Sequence, residues 1–369
     1  MNKYITFTLI LVFASTLLSQ EPYVDYLPEP QIDFNPKSYI CYRTESPIVV
    51  DGRMNEKIWQ KADWTDDFVD IEGDLKPDPL HRTRVKMLWD DEYLYVAAEI
   101  TEPHIWANIT RRDAVIFYDN DFEVFIDPDG DSHNYMEFEM NALNTLWDLF
   151  LLHPYRENGA SVINSWTING IESAVKIYGT INDPSDTDEY WVVELAFPIY
   201  VLTELGSKPS EGIQWRINFS RVNWRTIINE GEYIKEKDPE TGKNYPEFNW
   251  VWSPQGVVNM HYPETWGFLQ FTETIAGNGY IEFIYNDDES LKWDLRTLYY
   301  AQRKYASNHK SYCANAKALK KYGFEGNADD VSILVKSLGY EACMVSPYSG
   351  LLWTINDAGR VFSRKINNK

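Results

Sequence analysis

Between about residues 41 and 272, apolar and polar residues alternate with a period of two. Leu94, Val96, Ala98 and Ile100 alternate with Tyr93, Tyr95, Ala97 and Glu99. Met136, Phe138 and Met140 alternate with Glu137, Glu139 and Asn141, and Trp215, Ile217 and Phe219 with Gln214, Arg216, Asn218 and Ser220. Successive strand side chains point to opposite faces, so each run predicts a strand with one face on a core and a polar face opposite. Further strands are predicted over 84–89, 121–127, 145–152, 172–179, 189–197 and 266–272. Turn signals such as Asp90-Asp91, Asp127-Pro128-Asp129-Gly130 and Asn182-Asp183-Pro184 separate them. Many strands without intervening helices predict a mainly β protein built on an antiparallel β-sandwich, jelly-roll-like. Residues 229–248, with Gly, Pro and mixed charge, predict a long loop.

The pattern changes after about residue 275. Leu291, Leu295, Leu298, Tyr299, Gln302 and Tyr305 are spaced for one face of a helix over 288–306, with Asp288 or Ser290 as its cap. A shorter helical run over 314–322 stops at Gly323. Strand-like pieces follow at 332–337, 340–345, 351–356 and 360–365, the last two joined by a hairpin turn at Asp357-Ala358-Gly359. This predicts a small C-terminal α+β domain over 275–369, of unassigned role, after a main domain over 41–274.

The first residues predict an address. Lys3 precedes an apolar run from Ile5 to Leu18, the length of a signal-peptide core and too short for a membrane span. Residues 1–19 are expected to be a signal peptide cleaved near Ser19, which implies a secreted or periplasmic protein without a membrane span. Residues 20–40, rich in Pro, Asp, Glu and Tyr, read as an extended leader. The formal net charge of −22 argues against nucleic acid, whose phosphates need a basic footprint. The 14 Trp, 25 Tyr and 17 Phe exclude a disordered chain, because they supply the rings a core needs. The three cysteines, Cys41, Cys313 and Cys343, leave at least one thiol unpaired. If a bridge exists, Cys313–Cys343 is the best pair, and three small buried residues are an equal alternative.

Two stretches of the β region carry a resemblance. Trp89-Asp90-Asp91-Glu92-Tyr93-Leu94-Tyr95-Val96 is preceded by Ile48-Val49-Val50-Asp51-Gly52 and by Glu56-Lys57-Ile58-Trp59. Asp119-Asn120-Asp121-Phe122-Glu123-Val124-Phe125-Ile126-Asp127-Pro128-Asp129 is the second, and Trp252-Ser253-Pro254 to Trp266-Gly267-Phe268-Leu269 closes the pattern. Over about residues 45–272 the chain resembles the family 9 carbohydrate-binding modules, in particular the secreted bacterial family 9-like proteins. The resemblance implies a sugar-binding sandwich, often with bound calcium, that accompanies glycoside hydrolases in polysaccharide degradation. Two family rings that sandwich a sugar match Phe117-Tyr118 and Met260-His261-Tyr262. Both are typically Trp in the family, so its sugar-end specificity does not carry over. The family's acidic hydroxyl-binding residue matches Glu123.

Flat rings cover the apolar faces of a pyranose while carboxylates, amides and Arg bind its hydroxyl rim. On that basis Phe117, Tyr118, Trp147, Trp224 and Tyr262 are candidate stacking rings, and Glu123, Asn141, Arg216 and Asn218 candidate hydrogen-bonding groups. Arg221 would line the same groove, and a cross-strand salt bridge from Arg216 to Glu137 or Glu139 is an equal alternative. Trp59, Trp89, Trp191, Trp215 and Trp266 fall on strand patterns and are assigned to cores. Asp127, Asp129 and Asp131, in a loop with Asn134, offer hard oxygens for a structural calcium ion, and a plain Asp-Gly turn is the alternative. No organic cofactor and no catalytic motif is expected. A hydrolase of O-glycosyl bonds would need two facing carboxylates, from among Glu123, Glu137, Glu139 and Glu194. A structural protein without ligand is a further alternative, as is haem held through Met136, Met140, Met260 or His261.

Overall fold

The computed structural model describes residues 27–366 apart from 158 and 205. The expected signal peptide lies outside the described residues, as do the leader positions before 27. The sandwich strands are β1 (Ser38–Arg43), β2 (Val69–Asp70), β3 (Thr83–Trp89), β4 (Tyr93–Thr101), β5 (Asp121–Asp127), β6 (Tyr135–Asn141), β7 (Leu146–Leu151) and β8 (Val162–Ile163). They continue with β9 (Glu172–Tyr178), β10 (Tyr190–Pro198), the short α1 (Ile199–Leu202), β11 (Gln214–Asn223), β12 (Thr226–Asn229), β13 (Glu232–Lys235), β14 (Phe248–Val251) and β15 (Gly267–Ile275). The path β8-β7-β6-β5-β11-β15-β1-β3-β4-β10-β9 is continuous. β11 is its corner. One edge of β11 holds β5, while the other gives Gln214–Ile217 to β15 and Ser220–Asn223 to β14.

The two halves of this path pack face to face. Phe122, Val124, Met136, Phe138, Met140, Ile217 and Phe219 meet Val85, Met87, Val96, Ile100, Val193 and Leu195 in one buried core. These are the apolar members of the period-two runs, so the alternation in the sequence is the alternation of faces. Trp59, Trp89, Trp191, Trp215 and Trp266 are all buried, as their strand positions require. The sheet is mixed rather than wholly antiparallel, because β1 runs parallel to both β15 and β3. No hairpin joins β1 to either neighbour, so no short turn dictates its direction. Ser38, Tyr39 and Ile40, at the end of the expected leader, are thus part of the sheet.

The Ile48–Gly52 motif has a structural explanation. Gly52 has φ +80, and a Cβ there would lie 2.9 Å from the Lys176 backbone N. The turn wraps the buried Glu194 carboxylate, which accepts from the N–H groups of Asp51, Gly52, Arg53 and Met54 and from Trp59 Nε1. Glu194 is therefore a structural anchor and is unavailable for glycoside hydrolysis. The predicted 229–248 loop contains a hairpin instead, β12–β13, turning at Glu230 (φ 51) and Gly231 (φ 84). Two consecutive positive φ values are what a tight hairpin needs; Tyr233 and Ile234 inside the charged stretch, with Ile227 and Ile228 just before it, are its strand signal.

After β15 the chain forms α2 (Asp288–His309), α3 (Ala316–Leu319) and the antiparallel sheet β16 (Ser332–Val335), β17 (Tyr340–Val345), β18 (Leu351–Asn356) and β19 (Val361–Lys365). Leu295, Leu298, Tyr299, Tyr340, Ala342 and Ile355 share a buried core. Asp288 does not cap its own helix; its carboxylate binds Ser346, Ser349 and Trp353 Nε1. Gly323, at φ +104, ends the turn Lys320–Tyr322. Cys41, Cys313 and Cys343 are all free, so no Cys313–Cys343 bridge forms. No described helix is long and apolar enough to cross a membrane.

A buried ionic seam joins this unit to the sandwich. Arg156 lies 2.8 Å from Glu264 and 3.4 Å from Glu157, with its guanidinium over the Tyr262 ring at 4.4 Å. From α2, Tyr300 Oη donates to Glu264 (2.6 Å), Arg303 to Glu157 (3.1 Å) and Tyr299 Oη to Glu157. Farther along, Arg216 on β11 binds Glu289 of α2 at 2.7 Å.

The carboxylate face as candidate functional site

The polar members of the period-two runs form the outer face of β7-β6-β5-β11. Register aligns them in rows: Trp147, Glu139, Glu123 and Ser220 form one, and Leu149, Glu137, Phe125 and Asn218 the next. Asn141, Asp121 and Val222 form a third. Adjacent strands lie about 4.8 Å apart, so Asp121, Glu123, Glu137 and Glu139 are immediate neighbours. All four are buried. Burial pushes each carboxyl above its ordinary range; for Asp121, Glu137 and Glu139 the neighbouring carboxylates push further. Burial is likewise the main cause at Glu123, with the Glu247 charge adding to it, and takes that group to about 7. At such values a carboxyl can donate as well as accept a hydrogen bond.

Rings border this floor on two sides. On one side the Phe117 and Tyr118 rings are 4.8 Å apart, and Phe117 N–H donates to Glu139 at 3.1 Å. Trp224 Nε1 donates to the Phe117 carbonyl. Tyr118 is 56% exposed, but the Trp224 ring is nearly covered, with Lys235 Nζ 3.3 Å from its centroid. On the other side Tyr155 stands edge-to-face on His261 at 4.4 Å. His261 in turn packs edge-to-face on Phe125 of the outer face at 5.9 Å, and burial with the charges of Glu137 and Glu139 pushes the Tyr155 hydroxyl up to about 12. His261 Nε2 is 4.0 Å from Glu137, but burial and the Arg156 cation push its pKa down to about 3. The imidazole is therefore neutral and the contact is no ion pair. Trp147, half-buried, closes the row on β7.

The structure thus brings together Phe117, Tyr118, Glu123 and Trp147 of the expected residues, with Trp224 behind them. It does not bring in the others. Tyr262 is fully buried beneath Arg156, and its hydroxyl donates to the Pro28 carbonyl. Asn218 is fully buried and exchanges hydrogen bonds with the Ser253 backbone. Arg216 donates to the Trp266 carbonyl and to Glu289, not to Glu137 or Glu139. Arg221 pairs with the buried Glu102. Asn141 is buried under the 108–119 loop, donating to Ile109 O and Asp119. Asp119 and Asn120 are clamps as well, accepting from the N–H groups of Asn108 and Ile109 and of Trp224. Met136 and Met140 lie in the inner core while His261 covers the outer face, so they flank no common haem space. Sequence reasoning missed Tyr155 and His261 as a pair; the only signal was their aromatic character beside Arg156 and Tyr262.

Asp127, Asp129 and Asp131 do cluster, each offering an oxygen within 4.8 Å of the others. Most of their oxygens also accept local hydrogen bonds. Asp127 accepts from Gly130 and Ser132 N–H, Asp129 from Asp131 N–H, and Asp131 from His133 N–H and Arg360. These contacts close the Asp-Gly turn, while burial and the neighbouring carboxylates push the Asp127 and Asp131 carboxyls up.

A cleft of about 800 Å³ opens beside the face, lined by Trp224, Glu247, Phe248, Trp250, His81 and Asn249.

Part of the chain is similar to known proteins. A family model described as "Carbohydrate family 9 binding domain-like" matches residues 50–219. The exoglucanase XynX of Acetivibrio thermocellus is 29% identical over 159 residues, 42% of this chain and 12% of that protein. The endo-1,4-beta-xylanase A of Thermoanaerobacterium saccharolyticum is 28% identical over 127 residues, 34% of this chain and 9% of that protein. The chain thus spans only a small part of these relatives' length. A family 9 carbohydrate-binding module from Caldicellulosiruptor kristjanssonii, solved in complex with cellotriose, aligns with a TM-score of 0.42 and 17% identity, over 68% of this chain and all of that one. Residues 50–219 of this chain are thus similar to the carbohydrate family 9 binding domain-like family.

Proposed function

We propose that the sandwich binds a saccharide non-catalytically on the outer face of β5, β6, β7 and β11, as part of an extracytoplasmic polysaccharide-degrading system. The observation that carries this reading is the carboxylate floor between two ring borders. Phe117 and Tyr118 on one side and Tyr155 and His261 on the other would cover sugar C–H faces. Glu123, Glu137 and Glu139 would meet the hydroxyl rim. The family match supports the carbohydrate, and the named relatives, both glycanases, support the setting. The strongly acidic chain disfavours sulfated or uronic polymers by like-charge repulsion.

Affinity electrophoresis against a panel of plant and algal polysaccharides, with product analysis of each soluble oligosaccharide, tests the proposal. Retardation without released sugar is the expected result. Released sugar would replace the proposal with hydrolysis, and no retardation on any polymer would end it. Tyr155→Ala is expected to weaken binding by roughly two- to tenfold, because a lost ring contact is worth about 0.5–1.5 kcal/mol. Isothermal titration with the best oligosaccharide measures this, and an unchanged affinity would remove Tyr155 from the site.

A further inference from the structure

A second cavity, of about 610 Å³, lies where the C-terminal unit meets the sandwich, away from the carboxylate face. Asp129 and Phe268 line it from the sandwich, and Tyr285, Lys292, Tyr348 and Trp353 from the other side. A cavity of this size at a junction, with rings and a few converging polar groups, has the form of a small-molecule site. Tyr348 is 65% and Tyr285 43% exposed, and Trp353 is half-buried. These rings are held in place. The Asp288 carboxylate accepts from Ser346 Oγ, from Ser349 Oγ at 2.5 Å and from Trp353 Nε1 at 2.8 Å. Ser346 Oγ in turn accepts from Tyr348 N–H at 3.0 Å, so the turn that carries Tyr348 is tied to the first turn of α2. On the opposite wall Tyr285 stands edge-to-face on Phe268 at 6.2 Å, and the Arg216 guanidinium covers Phe268 at 3.7 Å.

Charge decides what the cavity can hold. Lys292 Nζ binds Glu289 at 2.6 Å and lies 5.1 Å from the Trp353 ring centroid, and Arg216 shares Glu289. Asp129 and Asp287, both exposed on the cavity, form no ion pair among the described residues. A sulfate or carboxylate would meet these two like charges, and an ammonium would meet Lys292 and Arg216. An uncharged ligand with apolar faces and a rim of donors and acceptors suits both signs and the rings, and a neutral pyranose has that form.

We propose that this cavity is a second saccharide site, for a neutral sugar, and that the C-terminal unit completes it. Tyr348 and Trp353 cover C–H faces, Asp129 and Asp287 accept from hydroxyls, and Lys292 donates to them. Tyr285, Tyr348 and Trp353 all lie beyond the residues 50–219 of the family match, so that match does not supply this site. The cavity shares no residue with the carboxylate face and stands or falls without it. Gln214 at the cavity and Ser220 in the face stand about 20 Å apart along β11, at about 3.3 Å for each residue. One polymer chain can therefore reach both sites, and the second contact raises the apparent affinity for the polymer above that of either site.

The Trp353 indole N–H resonance, assigned through Trp353→Phe, reports on this cavity alone. Neutral trisaccharides of gluco, xylo, manno and galacto configuration are titrated into the full chain, with a uronic-acid trisaccharide as control. At least one neutral sugar should move the signal to saturation, at lower concentration than the acidic one. Tyr348→Ala should weaken that titration by roughly two- to tenfold, the worth of one ring contact. Tyr348→Trp, which restores a ring, should return it to the wild-type curve. Both variants should melt as the wild type does, because the side chain is exposed. Tyr155→Ala, on the carboxylate face, should leave the Trp353 titration unchanged. No response to any neutral sugar overturns the proposal. So does a Tyr348→Ala curve that matches the wild type, or tighter binding of the uronic trisaccharide. A Trp353 response that persists while Tyr155→Ala changes nothing on any sugar keeps this site and removes Tyr155 from the other.

Discussion

Arg156→Ala is expected to cost about 3–5 kcal/mol of unfolding free energy, the range for removing one partner of a buried ion pair. The guanidinium is 4% exposed and serves Glu264 and Glu157 together. Its removal leaves Glu264 facing the Tyr300 hydroxyl and Glu157 facing Arg303 and Tyr299, with one fewer cation between two buried carboxylates. The loss reaches the candidate site as well. Arg156 follows Tyr155 in the chain and donates to the His261 carbonyl at 3.4 Å, so it seats both rings of the second border. Saccharide affinity should fall along with stability. Urea unfolding measures the first effect and titration, at a temperature where the variant is folded, the second. A loss under about 1 kcal/mol would place this seam with exposed ion pairs, which contribute little.

The seam also explains what the sequence could and could not reveal. Strands β4, β6 and β11 were legible because each buries one face and leaves the other polar, and a period of two records that directly. The same alternation showed that Glu123, Glu137, Glu139 and Arg216 share a face. It could not show which part of that face stays open. Trp266 and His261 cover Phe125, and α2 comes down on Arg216 through Glu289. Tyr262 failed as a ligand ring for the same reason. It lies in the segment where the resemblance implies a ligand ring, but Arg156 and the α2 tyrosines close over it. These contacts join segments far apart in the chain, and no local pattern encodes them. The Asp119-Asn120-Asp121 run divides three ways. Asp119 clamps the 108–109 backbone, Asn120 clamps Trp224, and Asp121 alone turns toward the carboxylate floor. Capping of that kind depends on where neighbouring N–H groups arrive, which only the fold decides.

Acid should weaken the protein through Glu264, and the sign is fixed by the same seam. Burial would raise this carboxyl, but Arg156, Arg296 and the Tyr300 hydroxyl outweigh it and hold the group down at about 2. Its ordinary value is 4.5. Between those values the unfolded chain binds the extra proton, so stability rises with pH across the interval. The contribution is fully present above about pH 4.5 and is lost as pH falls toward 2. At 1.36 kcal/mol for each unit, it amounts to about 3 kcal/mol. The face carboxylates carry the opposite sign, since burial raises them and they favour the folded state when protonated. A raw pH profile would therefore mix both. The difference between wild type and Glu264→Gln separates them, because the face carboxylates are common to both chains. Urea unfolding from pH 7 to pH 2.5 should show that difference shrinking by most of its neutral-pH value below pH 4.5. A difference that stays constant with pH would mean that Glu264 keeps an ordinary carboxyl in the folded chain and that Arg156 does not hold its charge.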